Sequence, residues 1–262
     1  MPTSSPAPDG DPAADWDRFD SAFYLRHNYA EARKDDLRFA SAAGDFFLAR
    51  LRGRTGLRGV DVGSGTNLYP ALTMLPFCAE IALVEYSAAN RRWLEAEVPG
   101  YSPVWDPFWA ELRPKDGYRE IADPARLLAA RARVESGSVF ELPRERWELG
   151  TMFFVAESIS ADEADFRAAL LRFLAGLVPG APFAAAFMEN SQGYLVGDLF
   201  FPAVPVTEAD LRACLAGLVE DDLVLTRESP GEAPLRQGYT GMILACGRKR
   251  EAPDGRRPGG RS

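Results

Sequence analysis

The stretch Leu57-Arg-Gly-Val-Asp-Val-Gly-Ser-Gly-Thr-Asn67 reads as a buried strand that runs straight into a glycine turn. Leu57 to Val62 is short and rich in apolar and β-branched residues, as a strand covered on both faces must be. Gly63 and Gly65 flank Ser64 and let the backbone turn at once into a helical stretch at 67–75. A strand passing through such a turn into a helix opens a parallel α/β unit.

Outward from this turn the alternation repeats. Strands are predicted at 81–85, 133–140, 151–156 and 183–187, and helices at 88–97, 125–131 and 163–177, with an irregular aromatic piece at 101–109. One or two amphipathic helices precede the first strand, over residues 24–51. Residues 188–206 suit a loop or small hairpin, and Thr207 caps a helix whose first turn is acidic. The last two strands, 223–227 and 239–246, have no helix between them, so they must pair antiparallel. The class is α/β, doubly wound, with a mainly parallel sheet covered on both faces.

The 262 residues carry 30 Lys+Arg against 38 Asp+Glu, a net charge of −8, which argues against nucleic acid as a partner. No apolar run approaches the roughly 20 residues a bilayer crossing needs, and the N-terminus lacks a signal-peptide pattern, so a cytoplasmic protein without a membrane partner is expected. Cys78, Cys214 and Cys246 are dispersed and read as reduced core thiols. His27 is the sole histidine, so no His-based metal centre or hydrolytic triad is expected, and the metal set is empty. Residues 1–14 and the basic 249–262 read as disordered tails around a single domain at 15–248, with 15–52 as an N-terminal helical lid.

Ligands of an open α/β sheet bind beyond the carboxyl ends of its strands, where Gly63-Ser64-Gly65 and Glu85 both fall. The glycines permit close approach, and a carboxylate about twenty residues on can accept from ribose hydroxyls, so the pair is a nucleoside-binding signature. The third glycine of a dinucleotide fold is replaced by Leu68, which excludes NAD, and Asp61 would repel a phosphate. Asp61 suits instead a cofactor with a cationic amino-acid end, such as S-adenosylmethionine. Trp105, Phe108 and Trp109 read as local core, with a cation–π cage for an amine as the alternative.

The chain resembles the small-molecule methyltransferases that include the nicotinamide, phenylethanolamine, indolethylamine and thioether enzymes. The resemblance rests on Phe19-Asp-Ser-Ala-Phe-Tyr24-Leu-Arg-His-Asn-Tyr29, Gly59-Val-Asp-Val-Gly-Ser-Gly-Thr-Asn-Leu-Tyr69 and Val84-Glu-Tyr-Ser-Ala-Ala-Asn90. Glu157, Leu177-Val-Pro-Gly180, Tyr194-Leu-Val-Gly197 and Val204-Pro-Val-Thr-Glu-Ala-Asp-Leu211 extend it over most of residues 19–248. It implies a Rossmann-like seven-stranded methyltransferase sheet with an antiparallel last strand and S-adenosylmethionine as cofactor. Tyr24 and Tyr29 would close over that cofactor, while Gly63, Ser64, Gly65, Tyr69, Glu85, Tyr86 and Asn90 would hold it. Ser138 and Val139 fall beside the adenine, where relatives carry Asp-Val.

Toward the methyl acceptor the resemblance implies Glu157 and Tyr194, with Tyr29 and Glu157 as catalytic positions. Phe187 stands where the nicotinamide enzyme has its carboxamide-reading aspartate, and Ser191 and Gly238 stand near the amine-binding carboxylates of the catecholamine enzyme. Neither of those substrates is therefore expected. An Ala- and Arg-rich composition suggests a member of bacterial type, and the resemblance implies a monomeric enzyme that methylates an amine or N-heterocycle. The same scaffold serves O- or S-methylation, or cofactor binding without turnover, as alternatives.

Overall fold

The computed structural model describes residues 16–230 and 238–251. Strands β1 (Leu57–Val62), β2 (Cys78–Glu85), β3 (Ala132–Ser136), β4 (Leu149–Phe153) and β5 (Pro182–Glu189) are followed by a separate hairpin, β6 (Gly193–Val196) and β7 (Leu199–Pro202). Then come β8 (Val224–Glu228) and β9 (Gly241–Arg248). The main sheet has seven strands in the order β3-β2-β1-β4-β5-β9-β8. The first five are parallel, and β9 runs antiparallel between β5 and β8. The antiparallel pairing of the last two strands follows from their short connection, whereas the insertion of β9 beside β5 does not.

Eight helices accompany the sheet among the described residues: α1 (Ser21–Tyr29), α2 (Lys34–Leu51), α3 (Tyr69–Met74), α4 (Ala88–Gly100), α5 (Asp106–Leu112), α6 (Pro124–Arg131), α7 (Glu163–Gly176) and α8 (Glu208–Leu215). Helices α2 to α6 contribute Phe39, Phe47, Leu72, Leu94, Phe108 and Leu128 to one core layer. Helices α7 and α8 contribute Phe166, Phe173, Leu174, Leu211 and Leu215 to the other. Each such side chain, fully buried, adds roughly 1.5–3 kcal/mol of favourable transfer energy. Strand β5 is buried at every position: Ala184, Ala186 and Met188 face the first layer, and Phe183, Ala185 and Phe187 the second. Helix α7 packs so closely over β4 that a Cβ at Gly150 would lie 2.7 Å from Leu177 Cδ2, so alanine there would force the two apart.

Residues 101–109, expected to be irregular, are ordered as a 3₁₀ turn (Pro103–Trp105) leading into α5. Each proline occupies a first-turn position, where its missing N–H costs nothing. Trp105, Phe108, Trp109 and Leu112 return at helical spacing and are buried, which favours the local-core reading of this cluster. Two predicted strands are shortened at their carboxyl ends. The one read to 140 stops at Ser136 because Ser138 caps a 3₁₀ turn (Val139–Glu141), and the one read to 156 stops at Phe153 because Phe154 adopts φ +61°. Both changes fall at the sheet edge where a ligand would bind.

Thr207 forms a reciprocal cap with Asp210, as its sequence suggests. Cys78 and Cys246 are buried thiols, and Cys214 is half-buried. Residues 249–251, assigned to the tail, are held to the body: Lys249 N donates to Ala181 O at 2.9 Å and Arg250 N to Leu218 O at 2.8 Å. Residues 1–14 and the rest of the expected tail lie outside the described residues.

Candidate active site

Parallel pairing of β1 with β2 sets Val62 against Val84, which carries Glu85 to the edge of the glycine turn. Gly63 and Gly65 have φ of +64° and +56°, and Gly63 N donates to Val84 O at 2.7 Å. A Cβ at Gly63 would lie 2.6 Å from Val155 Cγ2, so conformation and space both demand glycine there. Glu85 closes the turn: Oε2 accepts from Gly65 N at 2.8 Å and Oε1 from Ser87 N at 2.7 Å. Burial raises its pKa, opposed by those two N–H bonds and by a hydrogen bond from the Asn90 side chain.

Beneath the turn lies a second carboxylate. Asp61 Oδ1 accepts from Thr151 Oγ1 at 2.7 Å, while Oδ2 is buried and has no partner among the described residues. Burial pushes its pKa up to about 7, with Thr151 and Ser64 acting against that and Glu85 adding to it. The hydroxyl of Thr66, directly after Gly65, is also buried and without a partner among the described residues. An uncompensated carboxylate oxygen beside a glycine turn fits a ligand with a cationic group, and Glu85 retains acceptor capacity for a hydroxyl. These donors and acceptors match S-adenosylmethionine.

The turn opens into a cavity of about 430 Å³, within the range of small-molecule sites. Its floor comes from the turn after β1 (63–67) and Glu85 at the end of β2, its sides from 137–141 and 153–155, and its roof from Tyr24 and Tyr29 of α1 with Tyr194 of the hairpin. Tyr29 packs in the first core layer, and the rest of the roof belongs to a small cluster of its own. Phe201 lies 5.0 Å from Trp16, 5.5 Å from Phe19 and 5.4 Å from Tyr194, ring centre to ring centre, and Tyr24 lies 5.2 Å from Phe19. Such pairs add about 0.5–1.5 kcal/mol each beyond their burial.

Of the residues the sequence points to, Tyr24, Tyr29, Gly63, Ser64, Gly65 and Glu85 all line this cavity. So do Tyr86, Asn90, Ser138, Val139 and Tyr194. Ser138 spends its oxygen on Phe140 N at 3.2 Å, which leaves its proton to donate. Tyr69, Glu157, Phe187 and Ser191 do not line it, and neither does Asp61, which lies beneath the turn. Tyr69 is fully buried, stacked 4.6 Å from Phe108, and its hydroxyl donates to Asp36 Oδ1 at 2.9 Å, so it braces the wall through Phe153 instead of touching a ligand. Glu157 is fully buried because the 3₁₀ turn Ala156–Ser158 presents Ser158 to the cavity and turns Glu157 under β5, where Oε1 accepts from Met188 N at 2.9 Å.

Phe187 points into the second core layer against Phe166, and Ser191 is buried behind the end of β5. Trp16, Phe19, Phe153 and Phe154 line the cavity without having been singled out in the sequence. The crevice rule applied to the end of β4 would have found the last two.

No protein-family model matches this chain. It is 27% identical over 244 residues to human phenylethanolamine N-methyltransferase, covering 82% of this chain and 84% of that protein. The pig enzyme of the same name is 27% identical over 240 residues. Among solved structures, the 1,6-didemethyltoxoflavin-N1-methyltransferase of Burkholderia thailandensis, bound to 1,6-didemethyltoxoflavin and S-adenosylhomocysteine, superposes with a TM-score of 0.52 at 18% identity, over 94% of each chain. NodS, an N-methyltransferase of Bradyrhizobium japonicum in complex with S-adenosylhomocysteine, gives 0.52 at 11% identity, over 92% of this chain and all of that one. The fold is the class I methyltransferase fold. In it the glycine turn, Glu85 and the Tyr24–Tyr29 roof gather at the carboxyl edge of the sheet, where this fold class places its ligands.

Proposed function

We propose that this chain is an S-adenosylmethionine-dependent methyltransferase that methylates nitrogen on a small molecule, an amine or N-heterocycle, as a bacterial-type relative of the nicotinamide, phenylethanolamine and thioether enzymes. The observation that carries the reading is Glu85, held by Gly65 N and Ser87 N at the rim of an aromatic-roofed cavity. Phenylethanolamine N-methyltransferase, the didemethyltoxoflavin N1-methyltransferase and NodS are all N-methyltransferases, which supports nitrogen as the acceptor atom.

S-adenosylmethionine supplies an electrophilic methyl group on a sulfonium. Glu85 accepts from a ribose hydroxyl, and Asp61, with its uncompensated oxygen, favours the cationic amino-acid end. Ser138 and Val139 flank the adenine, with Ser64, Tyr86 and Asn90 at the same rim. Tyr24, Tyr29 and Tyr194 exclude water and hold the acceptor in line, so rate comes from alignment and desolvation. Glu189, the other carboxylate at the end of β5, is consumed by Arg227, whose Nη2 lies 2.6 Å from it, and by Thr240.

The test has two arms. Calorimetric titration with S-adenosylhomocysteine shows saturable one-to-one binding, and its absence at millimolar ligand would overturn the cofactor reading. Incubation with S-adenosylmethionine and panels of amines, alcohols and thiols yields product methylated on nitrogen. Methylation confined to oxygen or sulfur would overturn the acceptor assignment alone.

A further inference from the structure

We propose that Glu141 reads the base of the cofactor, its carboxylate accepting from the exocyclic amine of adenine. This rests on the cofactor reading above, which makes no use of Glu141.

The order of the strands decides which wall the base meets. Strand β2 lies between β1 and β3, so a ligand held by the glycine turn after β1 and by Glu85 at the end of β2 is led next to the end of β3. Glu85 stands opposite Ser136 in the parallel register, and Gly137 N donates to Glu85 O at 3.2 Å. Neighbouring strand ends are only about 4.8 Å apart. The chain therefore leaves β3 beside the carboxylate assigned to the ribose and runs on as the cavity wall 137–141. The opposite wall, 153–155, follows β4 on the far flank of β1.

On the β3 side a single 3₁₀ turn, Val139–Glu141, sets out polar groups of opposite sense. Ser138 Oγ accepts from Phe140 N at 3.2 Å, so its oxygen is engaged and its proton is what it offers a ligand. Glu141 N donates to Ser138 O at 3.0 Å, which ties the two residues across the turn. Glu141 lines the cavity, is exposed, and its carboxylate has no hydrogen bond or ion pair among the described residues. An ionised carboxylate only accepts. The pairing edge of adenine carries a donor amine beside an acceptor ring nitrogen, the complement of an accepting Glu141 next to a donating Ser138. Hypoxanthine, with a carbonyl oxygen beside a ring N–H, reverses both senses and sets an oxygen against the carboxylate.

The experiment is calorimetric titration of the full chain with S-adenosylhomocysteine and with S-inosylhomocysteine, the same molecule with the amine replaced by oxygen. The parent binds the adenine ligand roughly 10- to 150-fold more tightly, the reach of one charge-assisted bond. Glu141→Gln removes no bond from the fold, and its amide can turn NH₂ toward a carbonyl as readily as oxygen toward an amine. In that variant the preference falls by roughly tenfold.

Affinities of the parent for the two ligands within twofold of each other overturn the proposal. So does a preference that survives Glu141→Gln unchanged, which moves the reading of the base to another group. An equal loss of affinity for both ligands in Glu141→Gln also overturns it, because it marks a charge felt at a distance and no bond to the base. If the parent binds neither ligand, it is the cofactor reading that falls.

Discussion

Replacing Glu85 by glutamine removes one negative charge from the best-defined polar contact in the cavity. The carboxylate offers about four acceptor positions. Gly65 N and Ser87 N take two, which leaves room for a strong bond from a ribose hydroxyl. A hydrogen bond to a charged group is worth about 1.5–3 kcal/mol, so affinity for S-adenosylhomocysteine should fall roughly 10- to 150-fold. Glutamine also turns an NH₂ group toward either Gly65 N or Ser87 N, and two donors then face each other in a site only 5% exposed. Stability should drop by about 1–3 kcal/mol from that conflict. Calorimetry of the ligand at 25 °C, alongside thermal unfolding of the same preparations, separates the two effects. An affinity within twofold of the parent, measured on folded protein, would refute the assignment of Glu85 to the ribose.

Gly63→Ala should fold poorly and lose ligand binding, with a stability cost of about 2 kcal/mol or more from positive φ and the Val155 contact; a melting temperature equal to the parent's would contradict the close approach. Asp61 has a folded pKa near 7 against an ordinary 3.8, so the native state holds that proton more tightly than the unfolded chain. Its favourable contribution is complete below about pH 4 and is lost as pH rises through 7, by at most roughly 4 kcal/mol. Asp61→Asn should therefore gain stability over the parent between pH 5 and pH 8, yet bind S-adenosylhomocysteine more weakly; a melting difference that does not change with pH would reject a buried charge there. Glu157→Ala removes the acceptor for Met188 N and should cost about 1–3 kcal/mol, with Glu157→Gln costing less because it keeps an oxygen in place; the reverse order in thermal melts would count against this packing role.

The arrangement of the proposed cofactor half was legible because its residues follow from backbone necessity. A strand that ends in Gly-Ser-Gly has one way to turn, and parallel pairing of β1 with β2 then places Glu85 beside Gly65 without further information. The acceptor half was less legible. Glu157 comes at the carboxyl end of β4, as the crevice rule requires, but a single 3₁₀ turn decides whether it or Ser158 faces the cavity, and no periodicity encodes that choice. Tyr69 follows the glycine turn closely, yet its hydroxyl finds Asp36, 33 residues back in the chain, a pairing visible only once α2 is packed against α3. The strands read too long at 133–140 and 151–156 share one cause. Their apolar runs continue past the last ladder bond because Val139, Phe140, Phe154 and Val155 line a cavity, and hydrophobicity does not distinguish a pocket wall from a strand.

The roof cluster carries a consequence for how such an enzyme changes over time. Trp16, Phe19, Tyr194, Val196 and Phe201 pack mainly on one another, apart from both layers that hold the sheet together. Substitutions there would reshape the proposed acceptor chamber while β1 and β2, which carry Asp61 and Glu85, keep their own packing. The part best suited to redrawing for a new acceptor is therefore the β6–β7 hairpin, whereas α1 is tied to the rest of the site by Tyr29, which packs in the first core layer, and by Ser21, which bonds Asn90. The exposed pair Leu195 and Phe200, opposite one another on the outer face of that hairpin, offers two positions for improving solubility during such redesign.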